Sequence, residues 1–341
     1  MKPKASGNLL YQYQNKEFPF AKGPVKVPLR RISENKFVAN HSAVIAQSRS
    51  KSAPKVKQTL KQSLLSDYGV SIHSHLKQLE SQVEQTNFLG GHQIQAEFRA
   101  KMVDWMLEVL TTFKNSDQSF FLSINIMDRY FKQNMQNLPS SELHLTGVVS
   151  MFIASKYEDI VPLMMKTVIN KIGHNKFQLS QVEEKELEIL KTLGFNIGSP
   201  TVKEYVDRMV EQLGGQIIKP ELLNRQLACL TKMTCYSYSL QQTPTSLLAA
   251  GIITLALKQG LIQSAKAPID SLINLIADFS QHKIEDILDK SNEMLKFVRN
   301  FETDFPQLRN LKIVYGDVLK TLKFYNQKVL TQILHQNGPS Q

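Results

Sequence analysis

The chain has 341 residues, of which 42% are hydrophobic and 21% are charged, and its formal net charge is +11. This length and apolar content suffice for two domains of ordinary size and exclude a chain that is disordered throughout. Residues 1–62 contain thirteen Lys and Arg and two acidic residues, so they alone account for the whole net charge. Because a nucleic-acid-binding fold should carry its positive charge on the folded part, the composition argues against a basic DNA-binding domain.

No pattern that carries a common catalytic or metal-binding chemistry is present. The sequence has no glycine-rich phosphate loop before a helix, no His-Glu-x-x-His and no Cys/His cluster with metal-ligand spacing. Cys229 and Cys235 lie six positions apart, which suits neither a disulfide framework nor a zinc site and fits a reducing compartment. No signal-peptide core or membrane-length apolar run is visible. We therefore expect a soluble intracellular protein that is not an enzyme, needs no cofactor and has no membrane partner.

Residues 1–62 are rich in Lys, Ser, Asn, Gln and Pro and have little apolar periodicity, which predicts a disordered basic tail. Its basic runs, PLRRI and SRSKSAPKVK, could serve nuclear import or loose contact with nucleic acid, or could only keep the tail solvated and extended. Neither Arg-x-x-Leu nor Lys-Glu-Asn occurs in this tail, so its residues indicate no degradation signal.

A single amphipathic helix is predicted between the tail and the main body of the chain. Within residues 67–84, Ile72, Leu76, Leu79 and Val83 recur at i, i+4, i+7 and i+11 and form one apolar stripe. The TNFLGG segment that follows ends the helix. Because an isolated helix is marginal in water, it must dock on the following domain or on a partner.

The next hundred residues or so are predicted to form five helices joined by short loops. The third helix is apolar around its whole circumference over residues 143–154, so other elements must surround it. We expect Asp117 and Ser141 to cap their helices, and Ser180 with Glu183 to form a capping box. The five predicted segments are Gln95–Phe113, Asp117–Lys132, the helix within Ser141–Pro162, a short helix within Met164–Ile172, and Ser180–Leu193.

The second half of the chain repeats this plan. SLLAAGIITLALK, at Ser246–Lys258, echoes TGVVSMFIASK, at Thr146–Lys156, since both are apolar helices rich in small residues that end in lysine. The sequence thus predicts an all-α protein of two five-helix bundles, divided at 1–62, 63–92, 93–197 and 198–341. Helices of the second half are expected at Ser199–Leu213, Glu221–Leu240, Pro244–Gln259, Ile269–Gln281, Lys283–Glu302 and Asp317–His335.

Three stretches, in this order, resemble the cyclin family, the regulatory subunits of cyclin-dependent protein kinases. They are FRAKMVDWMLEVL (Phe98–Leu110), LHLTGVVSMFIASKYEDIVP (Leu143–Pro162) and VEEKELEILKTLGFNI (Val182–Ile197). The preceding DYGVSIHSHLKQLE is similar to the extra N-terminal helix of mitotic A- and B-type cyclins. The resemblance implies tandem cyclin-box domains, a heterodimer with a cyclin-dependent protein kinase, and a role in activating that kinase in mitosis, in the nucleus and cytoplasm.

The resemblance also implies a kinase-binding surface. Lys156 and Glu186 match the lysine and glutamate with which cyclins reach the kinase backbone beside its mobile C-helix. Six further positions match apolar contacts: Tyr157, Leu187, Leu190, Phe195, Ile197 and Ile72. Considered without the family, Lys156 is a cation favoured by the dipole at a helix C-terminus, and Glu186 is a solvated surface acid.

A second implied surface is a groove that docks Arg-x-Leu peptides of substrates and inhibitors. Its matching residues are Phe98, Met102, Trp105, Glu108, Leu143 and His144. The apolar members would hold the leucine of the peptide and Glu108 would face its arginine. Alternatively, Met102 and Trp105 are ordinary core residues.

The chain departs from the family pattern in and near this groove. Lys101 replaces the usual isoleucine, which narrows the apolar patch and repels a basic peptide. Phe98 and His144 stand where the family usually has methionine and glutamine, and Leu163 replaces a second proline. These departures put Arg-x-Leu docking in question.

Two other classes of function fit the same two-bundle pattern. One is a cyclin-box transcription factor that associates with nucleic acid, and the other is a helical adaptor without a kinase partner. The confinement of the positive charge to the tail, together with Lys156 and Glu186, favours the kinase regulator. We expect no specific nucleic-acid partner.

Overall fold

The computed structural model describes residues 68–69, 71–82, 87–218, 220–265 and 267–322. The predicted disordered tail, and the part of the predicted last helix that follows residue 322, lie outside these residues. The chain divides into two units, residues 1–70 and 71–341, and the helical bundles belong to the second unit. None of the described helices is both long enough and apolar enough to cross a membrane.

The described part of the chain is all-α, as predicted, with one short antiparallel strand pair, β1 (Ile217–Ile218) and β2 (Gln263–Ser264). Helix α1 spans residues 71–81. The first bundle contains α2 (Ala96–Thr112), α3 (Asp117–Gln133), α4 (Glu142–Glu158), α5 (Met165–Thr167, followed by a π-helical turn at Val168–Ile172) and α6 (Leu179–Thr192). The second half contains α7 (Val202–Leu213), α8 (Leu223–Thr234), α9 (Tyr238–Gln241), α10 (Thr245–Lys258), α11 (Ile269–Ser280), α12 (Ile284–Asp304) and α13 (Asn310–Leu319).

Helix α4 lies at the centre of the first bundle, which its apolar circumference predicts. All its residues from 146 to 155 are buried, and α2, α3 and α6 pack around it. Gly147 permits the close approach of α2, because a Cβ at this position would lie 1.9 Å from Cε of Met102. Helix α10 is buried in the same way over residues 248–257, among α7, α8, α11 and α12. The two similar segments thus occupy corresponding central positions.

Several helix ends differ by one to three residues from the predicted ones. Helix α3 is capped by Ser116, whose hydroxyl accepts a hydrogen bond from the Ser119 N–H, and not by Asp117. Helix α6 begins at Leu179 with a capping box made by Gln178 and Gln181, which replaces the predicted Ser180–Glu183 box. Because neighbouring polar residues compete for the cap position, the sequence predicts the presence of a helix more accurately than the residue at which it begins.

The predicted cap of α4 and the predicted start of α7 are also wrong. Ser141 precedes α4 but makes no side-chain hydrogen bond to its first turn. Helix α7 is capped by Thr201, which accepts a hydrogen bond of 3.3 Å from the Glu204 N–H, so it begins after Ser199 and Pro200.

The C-terminal helices show two larger differences. The predicted Glu221–Leu240 helix is divided into α8 and α9. The last described helix, α13, ends at Leu319, close to where the predicted Asp317–His335 helix should begin. The reason is a remote cap: the Asp104 carboxylate, on α2, accepts hydrogen bonds of 3.2 Å from the backbone N–H groups of Arg309 and Asn310. A cap supplied by a distant segment is invisible in the local pattern.

Buried polar contacts join the two halves. Arg99 forms a bidentate ion pair with Asp128, at 2.8 and 2.6 Å, within the first bundle. The same guanidinium donates a third hydrogen bond of 2.8 Å to the carbonyl oxygen of Cys235, in the second half. Lys232, on α8, donates to the Asp117 carboxylate at 2.6 Å. These contacts hold the two bundles in one arrangement.

Helix α1 docks on the second half of the chain. Glu80 accepts hydrogen bonds from the backbone N–H and the hydroxyl of Ser246, at 2.6 and 2.7 Å, at the start of α10. The His73 ring packs on Phe279 with 4.2 Å between ring centroids. Leu76 is buried, as the predicted stripe requires. Of the two predicted ways to stabilise this amphipathic helix, the structure therefore shows docking on the following domain.

Candidate functional site

Lys156 and Glu186, predicted from separate motifs, form an ion pair between α4 and α6. The Lys156 ammonium also lies 4.0 Å from the centroid of the Phe152 ring. The side chain of the lysine is 41% exposed and that of the glutamate 16% exposed, so the pair lies at the surface. The helix dipole accounts for a cation at the end of α4 but not for the acid that α6 places against it.

Apolar side chains from the predicted kinase-binding set are exposed on the same two helices and the turn after α6. Tyr157 follows the lysine, Leu187 follows the glutamate, and Phe195 lies in the turn; they are 59%, 47% and 64% exposed. Leu190 is half-buried. A group of large exposed apolar side chains beside an ion pair is typical of a protein-binding surface.

Two of the predicted kinase contacts are less exposed. Ile197 is buried, because the chain turns inward after α6, while Ile72 on α1 is half-buried. A direct contact of Ile197 with a partner therefore requires local adjustment, whereas its packing supports the turn that carries Phe195.

The loop after α4 adds three exposed apolar residues that the sequence analysis did not select. Ile160 and Val161 are almost fully exposed, and Met164 is 71% exposed. The signal that could have identified them is the run DIVPLMM, in which apolar residues follow the end of a helix and surround a proline. We call Lys156, Tyr157, Ile160, Val161, Glu186, Leu187 and Phe195 the α4–α6 surface.

Hydrogen bonds fix the start of this loop. Asp159 accepts hydrogen bonds from the Asn115 amide at 2.6 Å, the Ser119 hydroxyl at 2.7 Å and the Ser116 N–H at 2.9 Å. Partial burial opposes ionisation of Asp159, but these donors outweigh it and hold its pKa below the usual value. The Ser155 hydroxyl accepts a further hydrogen bond from the Leu163 N–H at 3.1 Å.

Buried cations fix α6 and the turn that follows it. Lys185 pairs with Glu142 on α4 at 2.9 Å and with Glu188 at 2.6 Å. Burial disfavours its charge, but the hydrogen bonds to Glu188 and Glu142 prevail and raise the pKa of Lys185. Arg129 donates to the carbonyl oxygens of Asn196 and Ile197, at 2.6 and 3.3 Å. The backbone beneath the α4–α6 surface is therefore anchored on both sides.

The six residues of the predicted peptide groove lie at the α2–α4 contact. Met102 and Leu143 are buried, so both are core residues. Trp105 is 8% exposed and meets His144 edge to face, with 5.2 Å between ring centroids. Phe98 is half-buried. Both Met102 and Trp105 are thus buried, as the core interpretation expects, and peptide docking at these residues stays a prediction.

The electrostatics of this groove differ from what an Arg-x-Leu peptide needs. Glu108 accepts a hydrogen bond of 3.3 Å from the Asn310 side chain, at the start of α13. Burial, together with the positive charge of the nearby Lys176, lowers the pKa of His144 to about 4. His144 is therefore neutral at physiological pH.

The described residues contain no group of three or more His, Cys, Asp or Glu side chains positioned to hold a metal ion. Cys229 and Cys235 are free thiols in the core, and burial raises the pKa of both. A protonated, buried thiol is unreactive, so neither serves as a nucleophile in this conformation.

Comparisons with known proteins agree with the resemblance noted in the sequence. A family profile described as "Cyclin, N-terminal domain" matches residues 71–198. A G2/mitotic-specific cyclin-B1 of Anguilla japonica is 28% identical over 196 residues, covering 57% of this chain and 47% of that protein. The G2/mitotic-specific cyclin C13-1 of Daucus carota is 31% identical over 201 residues, covering 57% of each. The match spans about half the length of these curated relatives.

A solved structure shares the fold. A viral cyclin from herpesvirus saimiri superposes with a TM-score of 0.53 at 17% identity, covering 65% of this chain and 97% of that one. At this identity the likeness concerns the fold alone.

Proposed function

We propose that this chain, whose residues 71–198 belong to the cyclin family, binds a cyclin-dependent protein kinase and activates it in cell-cycle control. The observation that carries the proposal is the Lys156–Glu186 pair with the exposed apolar side chains around it. Large apolar residues this exposed are costly in a free protein and useful in an interface. Charged residues at the edge of such a patch give a partner its orientation.

The proposed mechanism is a shift in the conformational equilibrium of the kinase. With its C-helix displaced, a kinase lacks the Lys–Glu ion pair and an ordered Mg²⁺ site. A surface that binds only the form with the helix in place raises the population of that form. Moving the equilibrium from 1:99 to 99:1 requires about 5.5 kcal/mol of differential binding, equivalent to roughly 220 Å² of additional apolar burial. Since a standard interface buries about 1,600 Å², a modest part of it is enough.

We further propose that the groove beside Trp105 recruits substrates or inhibitors that carry a short linear peptide. Phe98 and His144 are partly exposed beside the buried ring of Trp105, and such aromatic side chains suit apolar anchor residues. Recruitment would raise the local concentration of substrate at the kinase without any chemistry by this chain. We propose that both activities take place in the nucleus and cytoplasm.

The experiment compares two inter-helical ion pairs in the full chain. Lys156→Ala with Glu186→Ala should lower kinase co-purification and kinase activity more than tenfold, as the loss of interface hot spots does. The matched control replaces the exposed pair Arg225–Asp317, at 3.0 Å between α8 and α13, by alanines. Because exposed ion pairs contribute about 0–1 kcal/mol to stability, both variants should melt within a few degrees of the parent chain.

Unaltered kinase binding in the first variant would refute the assignment of the α4–α6 surface. The nucleic-acid alternative makes a different prediction: retention on DNA should then fall steeply with salt and survive deletion of residues 1–62. Retention that is lost with the tail would argue against the nucleic-acid alternative.

A further inference from the structure

The groove beside Trp105 is bordered by cations. Lys101 projects from α2 so that its ammonium lies 5.5 Å from the centroid of the Phe98 ring. On the other side, Lys176 in the loop before α6 directly precedes Phe177, whose ring centroid lies 5.1 Å from that of His144. Since both lysines are at least partly exposed, their charges remain available to a bound ligand.

Glu108, the acid expected to face the arginine of a peptide, contacts another part of the chain. A carboxylate oxygen of Glu108 accepts a hydrogen bond from Asn310, in the first turn of α13. The positive end of that helix dipole favours a carboxylate at this place. Glu108 therefore interacts with the second half of the chain, and an incoming arginine would have to compete with this contact.

Two further acids lie close to groove residues in the sequence: Glu97, and Glu142, which precedes Leu143 and pairs with Lys185 at 2.9 Å. Glu97 is exposed in the first turn of α2, four positions before Lys101, where it can partly offset the lysine. No such neighbour in sequence accompanies Lys176, which stands between Asn175 and Phe177.

The apolar part of the groove is retained despite this change of charge. The rings of Trp105, His144 and Phe177 form a row, with centroid distances of 5.2 and 5.1 Å. Because His144 is neutral and aromatic, it extends the apolar surface that Trp105 begins. A ligand can still anchor leucine or phenylalanine side chains along this row.

We infer that this groove selects a linear peptide whose apolar anchors are flanked by acidic side chains, in place of an Arg-x-Leu peptide. The inference rests on the proposal that the groove docks peptides. Lys101 and Lys176 would attract an aspartate or glutamate beside the anchors and repel an arginine at the same place. The hydrogen bond from Asn310 occupies one carboxylate oxygen of Glu108 and so weakens, without cancelling, the attraction that would offset this repulsion.

Trp105 makes the test direct, because it is the only tryptophan of the chain. Two peptides, Ala-Arg-Arg-Leu-Phe and Ala-Asp-Asp-Leu-Phe, are titrated into the full chain while tryptophan fluorescence is recorded. The acidic peptide should bind about fivefold more tightly at low salt, since each screened surface pair contributes little. The difference should shrink between about 0.05 and 0.3 M salt, as the Debye length shortens.

Variants assign the preference to the named side chains. Lys101→Ile and Lys176→Ala should each weaken the acidic peptide about twofold to threefold, and Glu97→Gln should tighten it. Lys258→Ala, at the end of α10 in the second half, is the matched control and should leave both affinities unchanged. Binding of both peptides with equal affinity, or tighter binding of the arginine peptide, overturns the inference.

Kinase activation is measured on the same preparations to separate the two proposals. If neither peptide changes the fluorescence while the kinase is still activated, the groove inference is wrong and the regulatory function stands. If the acidic peptide binds as expected and no kinase is activated, the groove is a docking site and the proposed regulatory function fails.

Discussion

Replacement of Arg99 should uncouple the buried charges that connect the two halves of the chain. Arg99 is fully buried and donates to both oxygens of Asp128 and to the carbonyl oxygen of Cys235. Burial already raises the pKa of Asp128, and the positive charge of Arg99 only partly opposes this effect. In Arg99→Met the carboxylate remains buried without its partner.

The expected loss in the free energy of unfolding follows from the number of buried polar groups that each variant leaves without a partner. Removing one member of a buried ion pair typically costs about 3–5 kcal/mol. Because replacing a whole buried pair by apolar residues is often neutral or stabilising, Arg99→Met with Asp128→Leu should recover part of that loss. The carbonyl oxygen of Cys235 still lacks its donor in the double variant, which leaves a deficit of roughly 1–3 kcal/mol.

Urea unfolding of the parent chain and the variants tests this order of stabilities. Far-UV circular dichroism reports on both bundles, and Trp105 fluorescence reports on the first. In Arg99→Met the unpaired Asp128 has a further raised pKa, so its native state binds a proton that the unfolded state releases. Stability of this variant should therefore fall as the pH rises from about 4 through the raised pKa, and the deficit should be smaller at pH 5 than at pH 8. A double variant as unstable as Arg99→Met, or a deficit that does not depend on pH, would refute the reasoning.

Two further predictions concern α1 and α4. Burial lowers the pKa of His73, so its contribution to the free energy of unfolding is complete above the unfolded pKa of about 6.5 and is lost as the pH falls. His73→Phe keeps the packing on Phe279 but cannot be protonated. When urea unfolding is compared at pH 7.5 and 5.5, this variant should lose less stability at pH 5.5 than the parent chain does. Gly147→Ala should destabilise the chain by about 1–3 kcal/mol because the new Cβ overlaps Met102. Gly251→Ala should be nearly neutral, because its Cβ comes no closer than 3.1 Å to the Lys290 side chain and 3.4 Å to Met294. Equal urea midpoints for these two variants would contradict the prediction.

The sequence could predict those features that depend on local pattern. Helix α4 is apolar on every side over residues 143–154, and this property alone places it at the centre of the bundle. Lys156 and Glu186 occupy family motifs whose helical positions are defined, so their meeting follows once α4 and α6 pack. The exposure of Leu187 and Phe195 fits the same interpretation, although their contact with a kinase stays a prediction.

Features created by distant parts of the chain could not be predicted in this way. The start of α13 depends on Asp104, more than 200 residues earlier, and the residues around Asn310 do not predict a helix start there. The burial of Ile197 depends on Arg129, which binds the carbonyl oxygens of the turn after α6. Glu108 was expected to face a peptide, and its hydrogen bond to Asn310 results from the same placement of α13 against α2.

The hydrogen bonds and ion pairs beneath the α4–α6 surface determine which partner loses conformational entropy when the proposed complex forms. Asp159 fixes the loop after α4, and Arg129 and Lys185 fix α6 and its turn, so the backbone of this surface is ordered before binding. A preorganised partner loses little conformational entropy on association, and most of its interaction free energy remains available. The mobile element in the proposed complex is then the kinase helix, whose ordering this free energy can drive. The tight packing of α4 thus bears on the proposed activation as well as on stability.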